Sequence, residues 1–417
     1  VAGIVGFFDA DGLRYWSFLC GLAAVSRICF VDWRHLLDPR IRFLAKARAF
    51  SFKRANESVR GSGDSETSLI RRLIRGAGRV LLCLLVGLCS LWALAALYFD
   101  FPMHRFGVAV AIGYALAVGA LLCISAGLAQ RLLVVFGCFL LVLIWWLGIA
   151  PSNIGQWQAD VSRTAYAEVE GSHITFHNVR SCDYRAEFDY TCQWLTREID
   201  LNNVTGVDLF MDYWGSPWIA HTIVSFELGK TPDGKMAEPL PFSIEVRKQK
   251  GQSYSAVRGF FRQYTLISVV SEERDVVRLR TNYRQGEDLY LYHTKATPEF
   301  ARSLLLDYVA MTNDLKENPE WYNAVTRNCT TEIFTFKAMH GRPKDWRILF
   351  NGKADEMLYN QDELAATIEG RAGATARLPF AALKERAHIN AAAKAADKDP
   401  AFSERIRVGR PGFEDVR

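Results

Sequence analysis

The chain has 417 residues, with 50 Lys and Arg against 45 Asp and Glu and a formal net charge of +5. That length allows two or three domains, and so small an excess of positive charge gives no footing for a nucleic-acid partner. Mean hydropathy is near zero, but the average hides two unlike parts, because the apolar residues concentrate between residues 80 and 150.

The sequence opens on Val1 and reaches its first methionine at Met103, so its start is taken as a fragment, a processed end or a misplaced start codon. Apolar stretches at 3–8 and 16–28 are interrupted by charges such as Asp9, Arg14 and Arg27. No charged leader precedes an apolar run, so no signal peptide is read there. Residues 61–66 read as a flexible linker. Residues 1–78 form a basic segment expected to be cytoplasmic.

Residues 79–150 are expected to anchor the chain in a membrane. Residues 80–99 and 106–129 carry no charge, and 132–150 contain Trp145 and Trp146. Each run is close to the ~20 apolar residues a helix needs to cross a bilayer core. Arg105 and Arg131 fall in the breaks, and Gln130–Arg131 marks a short connection between antiparallel helices. The paired tryptophans suit the membrane–water interface. Arg71, Arg72, Arg75 and Arg79 precede the first span, behind many earlier cations. The positive-inside rule keeps that flank in the cytoplasm, and three crossings then put Pro151 outside. For a Gram-negative bacterium this predicts a multi-pass inner-membrane protein with a periplasmic C-terminal domain.

Of nine cysteines, Cys182, Cys192 and Cys329 lie beyond the spans. Disulfides persist outside the cytoplasm, and Cys182 and Cys192 could close a hairpin. Cys329 would then be odd, either a reactive thiol or a buried inert one.

The region 151–365 reads as an α+β domain. Strand patterns fall at 166–178, 207–213, 220–228, 242–247, 266–270, 276–280 and 289–292. The period of two puts His221, Ile223 and Ser225 on one face of their strand, and Thr222, Val224 and Phe226 on the other. Thr297 and Pro298 open a helix as N-cap and first-turn proline. Residues 330–339 read as another helix, and residues 381–396 as an amphipathic one within a polar helical tail, 366–417.

Asn328 is a good N-cap residue, so Cys329 would begin a helix whose free N–H groups favour a thiolate. The same groups, around Asn328 and Thr330, could receive an oxyanion. A thiolate nucleophile needs a base. His221, on a strand between apolar neighbours, is the favoured candidate, although such a histidine is more often a satisfied core residue. Glu245, on the return strand, could orient its ring. No phosphate loop and no zinc-ligand spacing occurs, and no cofactor is expected. Glu272-Glu273-Arg274-Asp275, with Arg278 and Arg280, forms a charged block that reads as a solvated salt-bridge cluster more readily than as a phosphate site.

From about residue 145 to 412 the chain resembles the Lnb N-terminal periplasmic domain family. The resemblance rests on His177-Asn178-Val179-Arg180, on Ala220-His221-Thr222 with Ser225-Phe226-Glu227, and on Ser243-Ile244-Glu245-Val246-Arg247. Glu273-Arg274-Asp275-Val276 with Leu279-Arg280-Thr281-Asn282, and Pro319-Glu320-Trp321-Tyr322-Asn323 running on to Asn328-Cys329-Thr330-Thr331, complete it. Ser181-Cys182 departs from the family's Asn-Phe pair. The resemblance implies a circularly permuted papain-like thiol fold, similar to the lecithin:retinol acyltransferase group and reversed relative to NlpC-type peptidases. It implies Cys329 as nucleophile, His221 as base and Glu245 as a third member. The implied activity is transfer of a fatty acyl chain from a membrane lipid to the N-terminal amine of a lipoprotein. A periplasmic cysteine hydrolase of cell-wall peptides and a non-catalytic binding module remain the alternatives.

Overall fold

The computed structural model describes residues 63–123, 127–328, 331–341, 345, 347, 351–369 and 375–414. The basic segment before residue 63 therefore lies outside the described residues, with Gly61 and Ser62 of the expected linker. The chain divides into two compact units, residues 1–84 and 85–417. In the first, the described residues form the beginning of helix α1.

Among the described residues three helices are long and apolar enough to cross a membrane: α1 (Gly63–Asp100), α2 (His104–Cys123) and α3 (Leu128–Leu147). Their apolar segments are 31, 19 and 20 residues long. Linker residues 63–66 are part of α1 rather than a loose tether. The second break also comes earlier than expected, so that Gln130 and Arg131 sit inside the first turns of α3. Arg131 turns its guanidinium back to the Leu122 carbonyl at 3.0 Å.

The remainder is a mixed α/β domain with antiparallel sheets. Strands β1 (Tyr166–Glu170), β2 (His173–Ala186) and β3 (Asp189–Asp200) form a meander. Cys182 and Cys192 stand directly opposite each other across β2 and β3 and are disulfide-bonded. A central sheet follows in the order β7-β6-β5-β4-β8, built from β4 (Gly206–Trp214), β5 (Ala220–Glu227), β6 (Leu240–Arg247), β7 (Thr265–Val270) and β8 (Glu287–His293).

Alternation along these strands creates two unlike faces. One carries Leu209, Met211, Val224, Phe226 and Phe242, all buried in the main core. Helix α5 (Pro298–Glu317) covers it with Leu304, Leu305, Tyr308 and Val309, a stripe at helical spacing. Phe226, Phe242 and Tyr308 meet with ring centroids 4.9–5.7 Å apart. Each such ring contributes roughly 1.5–3 kcal/mol by leaving water. Thr297 caps α5 by accepting from the Phe300 amide at 3.2 Å.

The opposite face is apolar only in its middle, where Phe210, Ile223, Leu289 and Leu291 pack on Val276 and Val277. Those two valines lie where the alternation suggested a strand, but residues 273–278 form helix α4 (Glu273–Arg278), continued by a π-helical turn over Leu279–Tyr283. Acidic Glu273 and Asp275 in its first turn suit a helix start. Burial of Val276 and Val277 against the central sheet, and of Leu279 against Cys182 and Tyr184, overrides the β-propensity of Val-Val-Arg-Leu-Arg.

The C-terminal segment belongs to this domain. The expected helix at 381–396 is two, α7 (Phe380–Ala387) and α8 (Asn390–Ala395), following α6 (Ala354–Asn360). It breaks where the Ile389 amide donates to the Leu289 carbonyl at 2.9 Å. Beyond them α9 (Phe402–Arg405) leads to Arg407, which is fully buried. Its guanidinium reaches Asp208 at 2.7 Å and Glu273 at 2.6 Å.

The domain is fastened to the C-terminal ends of α1 and α3. Asp100 accepts from the Trp146 indole at 2.7 Å, the Arg262 amide at 3.1 Å and the Gln263 side chain at 2.6 Å. The Arg262 guanidinium lies 4.3 Å from the centre of the Trp146 ring, and Phe261 packs on Phe99. The Trp321 indole donates to the Ile149 carbonyl at 3.0 Å.

Arg407→Ala strands two buried carboxylates, so it should destabilise the domain by about 3–5 kcal/mol. Urea unfolding of the full chain checks this; an unchanged midpoint would contradict the structural role given to Arg407.

Candidate active site

The polar end of the central sheet is built by register. Asp212 on β4 stands directly opposite His221 on β5. The β5–β6 pairing runs to Ile223 and Ser243, and its continuation by two residues brings Glu245 level with His221. Asp212, His221 and Glu245 therefore form a row across three strands on the face that α4 covers.

His221 and Glu245 do not touch. Ser243 stands between them, with its Oγ 2.7 Å from His221 Nε2 and 2.8 Å from Glu245 Oε1. Burial works against ionisation of Glu245, but Arg280 and Arg180 hold its pKa well below the usual carboxylate range. The Arg280 guanidinium is 3.0 Å from Glu245 Oε1 and 3.1 Å from Asp212 Oδ2. An ionised Glu245 can only accept, so the single Ser243 hydroxyl proton goes to it. Ser243 Oγ must then accept from an Nε2–H of His221. This fixes the ring tautomer and leaves Nδ1 as the free lone pair. Glu245 thus acts on the ring through Ser243, not by the direct contact expected from sequence.

Burial, with Arg280 adding to it, lowers His221 to about 3. The ring is neutral at physiological pH. Burial and the neighbouring Glu287 carboxyl push Asp212 up, against the pull of Arg280. Ser243, Asp212 and Arg280 were not singled out as site residues from sequence. Ser243 was the findable one, since the period of two puts it on the same face as Glu245.

This row opens into a groove of about 950 Å³. His221, Glu245, Asp212 and Arg280 line it, with Phe188, Trp214, Trp218, Ile219 and Tyr254 as aromatic and aliphatic walls. Tyr322 and Ala324 line it too, and Asn328 is bonded through its side-chain amide to the Ala324 carbonyl at 3.0 Å. Asn328 also caps the turn that follows, accepting from the Thr331 amide at 3.0 Å. The segment beyond is not the continuous helix read over 330–339, but short 3₁₀ turns at Ile333–Thr335 and Lys337–Met339. Any oxyanion donors there are local N–H groups, without the dipole of a long helix. Cys329 and Thr330 lie outside the described residues.

At the other end of the same face, Asp208, Glu227 and His293 bring ligand-type atoms within 4.8 Å of one another. His293 Nδ1 is 2.9 Å from Asp208 and 3.3 Å from Glu227. Burial alone would lower His293, but hydrogen bonds to the two carboxylates push it up to about 10. The Arg407 guanidinium shares Asp208 with the imidazole, so the three side chains belong to a larger ion-pair network.

Residues 190–352 match the family model of the Lnb N-terminal periplasmic domain. No curated protein and no solved structure was found to match the chain. The protein is therefore a membrane-anchored chain with a periplasmic-type α+β domain.

The two histidines make opposite contributions with pH. His221 titrates near 6.5 when unfolded and near 3 when folded, so stability falls as pH drops from about 6.5. His293, raised to about 10, contributes stability that is full below about 6.5 and lost as pH rises through 10. NMR of the ring nitrogens should find His221 neutral from about pH 5 to pH 8; a midpoint near 6.5 would mean a solvated ring outside the row described.

Proposed function

We propose that this protein is a thiol acyltransferase of the bacterial inner membrane, acting on the side to which its C-terminal domain is exported. Its basic α1 start, with Arg71, Arg72, Arg75 and Arg79, supports a cytoplasmic N-terminal flank. The observation that carries the chemistry is the Glu245–Ser243–His221 chain, which fixes the tautomer of a neutral imidazole at a groove that is also lined by Ala324, whose carbonyl accepts from Asn328, the residue before Cys329 in sequence.

In this reading Nδ1 of His221 takes the thiol proton of Cys329, and the thiolate attacks the ester carbonyl of a membrane lipid. The tetrahedral intermediate collapses to an acyl thioester, and the departing alkoxide takes the proton back from His221. The N-terminal amine of a lipoprotein then attacks the thioester. His221 accepts its proton, and the thiolate leaves to give the amide. Negative charge on sulfur and oxygen during attack offsets the field of Arg280, raising the basicity of His221 when it is needed. The aromatic and aliphatic walls of the groove suit an acyl chain better than a polar peptide. Holding the domain at the membrane lets both lipid substrates arrive by lateral diffusion.

Cys329→Ala should abolish transfer while leaving insertion and folding unchanged. His221→Ala should slow it by roughly 10²–10⁴-fold. Mass spectrometry of lipoproteins from cells carrying each variant reads the result. Undiminished N-acylation with Cys329→Ala would sink the mechanism, and release of free fatty acid without amide would favour the hydrolase.

A further inference from the structure

We propose that two loops beside the groove, residues 253–261 and 322–327, make a second, non-helical contact with the bilayer surface. They present Tyr254, Val257, Phe260 and Val325 to solvent at 41, 58, 46 and 51 % exposure. Large apolar side chains grouped this way on a water-facing surface mark an interaction site.

The two loops form one platform. The Ala324 amide donates to the Gly259 carbonyl at 2.9 Å. A Cβ on Gly259 would lie 3.2 Å from the Tyr322 ring and 3.4 Å from Ala324 Cβ, which shows how closely the two loops approach. The platform is fixed to the ends of the membrane helices. Phe260 is two residues from Arg262, whose amide is bonded to Asp100. Val325 is four residues from Trp321, whose indole is bonded to the Ile149 carbonyl. Chain reach then limits Phe260 to roughly 7 Å and Val325 to roughly 14 Å from those anchors. The headgroup layer on each side of the hydrocarbon is itself roughly 5–8 Å deep. The occupant of this surface is therefore the bilayer the helices cross, rather than a soluble partner. Arg258, between Val257 and Phe260, can extend its guanidinium to lipid phosphates.

The consequence is positional. Tyr254, Ala256, Tyr322 and Ala324 also line the His221 groove, so a platform seated on the bilayer holds the groove's mouth at headgroup level. This contact rests on the membrane helices and not on the acyl-transfer reading.

The test uses the full chain in nanodiscs of phosphatidylethanolamine and phosphatidylglycerol, doped with a phosphatidylglycerol that carries a diazirine near its headgroup. Photolysis followed by peptide mass spectrometry should find label in residues 253–262 and 322–327, and none in the exposed turn at 231–235. Val257→Asp with Phe260→Asp should cut labelling of both loops by about fivefold, with labelling of the helices unchanged. Label confined to α1–α3, or equal in the platform and the 231–235 turn, would overturn the proposal. Cys329→Ala should label as the wild type does, which keeps this result separate from any failure of the chemistry.

Discussion

The site depends on one buried cation. Arg280, on the π-helical turn after α4, joins Asp212 and Glu245 across the polar end of the central sheet. Without it, Glu245 would lose its direct cation partner and keep Arg180 and Arg284 against the burial that favours its neutral form, weakening the hold on the Ser243 orientation and the His221 tautomer. Removing charges from water costs several kcal/mol per ion, which pairing returns only in good geometry. The family of contacts around Arg280 is therefore a poor way to gain stability and a good way to fix one arrangement of polar groups. Irregular helical turns of this kind often occur at functional positions.

The same face of the sheet repeats the device at its far end, where Arg407 and His293 balance Asp208, Glu227 and Glu273. Between the two ionic ends lies the apolar band of Phe210, Ile223, Leu289 and Leu291. The two clusters differ in what they face. The Arg407 cluster is closed over by the C-terminal segment and binds it to the sheet. The Arg280 cluster lines the groove and leaves a ring nitrogen uncommitted.

Much of this was legible in the sequence because period and length speak directly. Three long apolar runs give three apolar helices, and the alternation about Ile223 separates the two faces of β5 correctly. Thr297-Pro298 marks the start of α5 because cap and proline act locally. What failed was decided by distant partners. Val276 to Arg280 alternates like a strand, yet its burial under the sheet and the pairing of Arg280 make it helical. The tail at 381–396 looked like a lone amphipathic helix, since nothing in it announces that Leu289 will take the Ile389 amide. His221 and Glu245 were visible as candidates and Ser243 shares the Glu245 face by the period of two, but that it bridges them is fixed by the β5–β6 register.

The central claim is that Cys329, activated by the oriented His221, forms a covalent acyl intermediate. Intact-protein and peptide mass spectrometry after incubation with phospholipid vesicles, quenched in acid before any amine is added, tests it most directly. The account predicts one acyl group on the peptide containing Cys329, removable by neutral hydroxylamine as a thioester is, and lost in His221→Ala. No adduct, or an adduct on another residue, would contradict it.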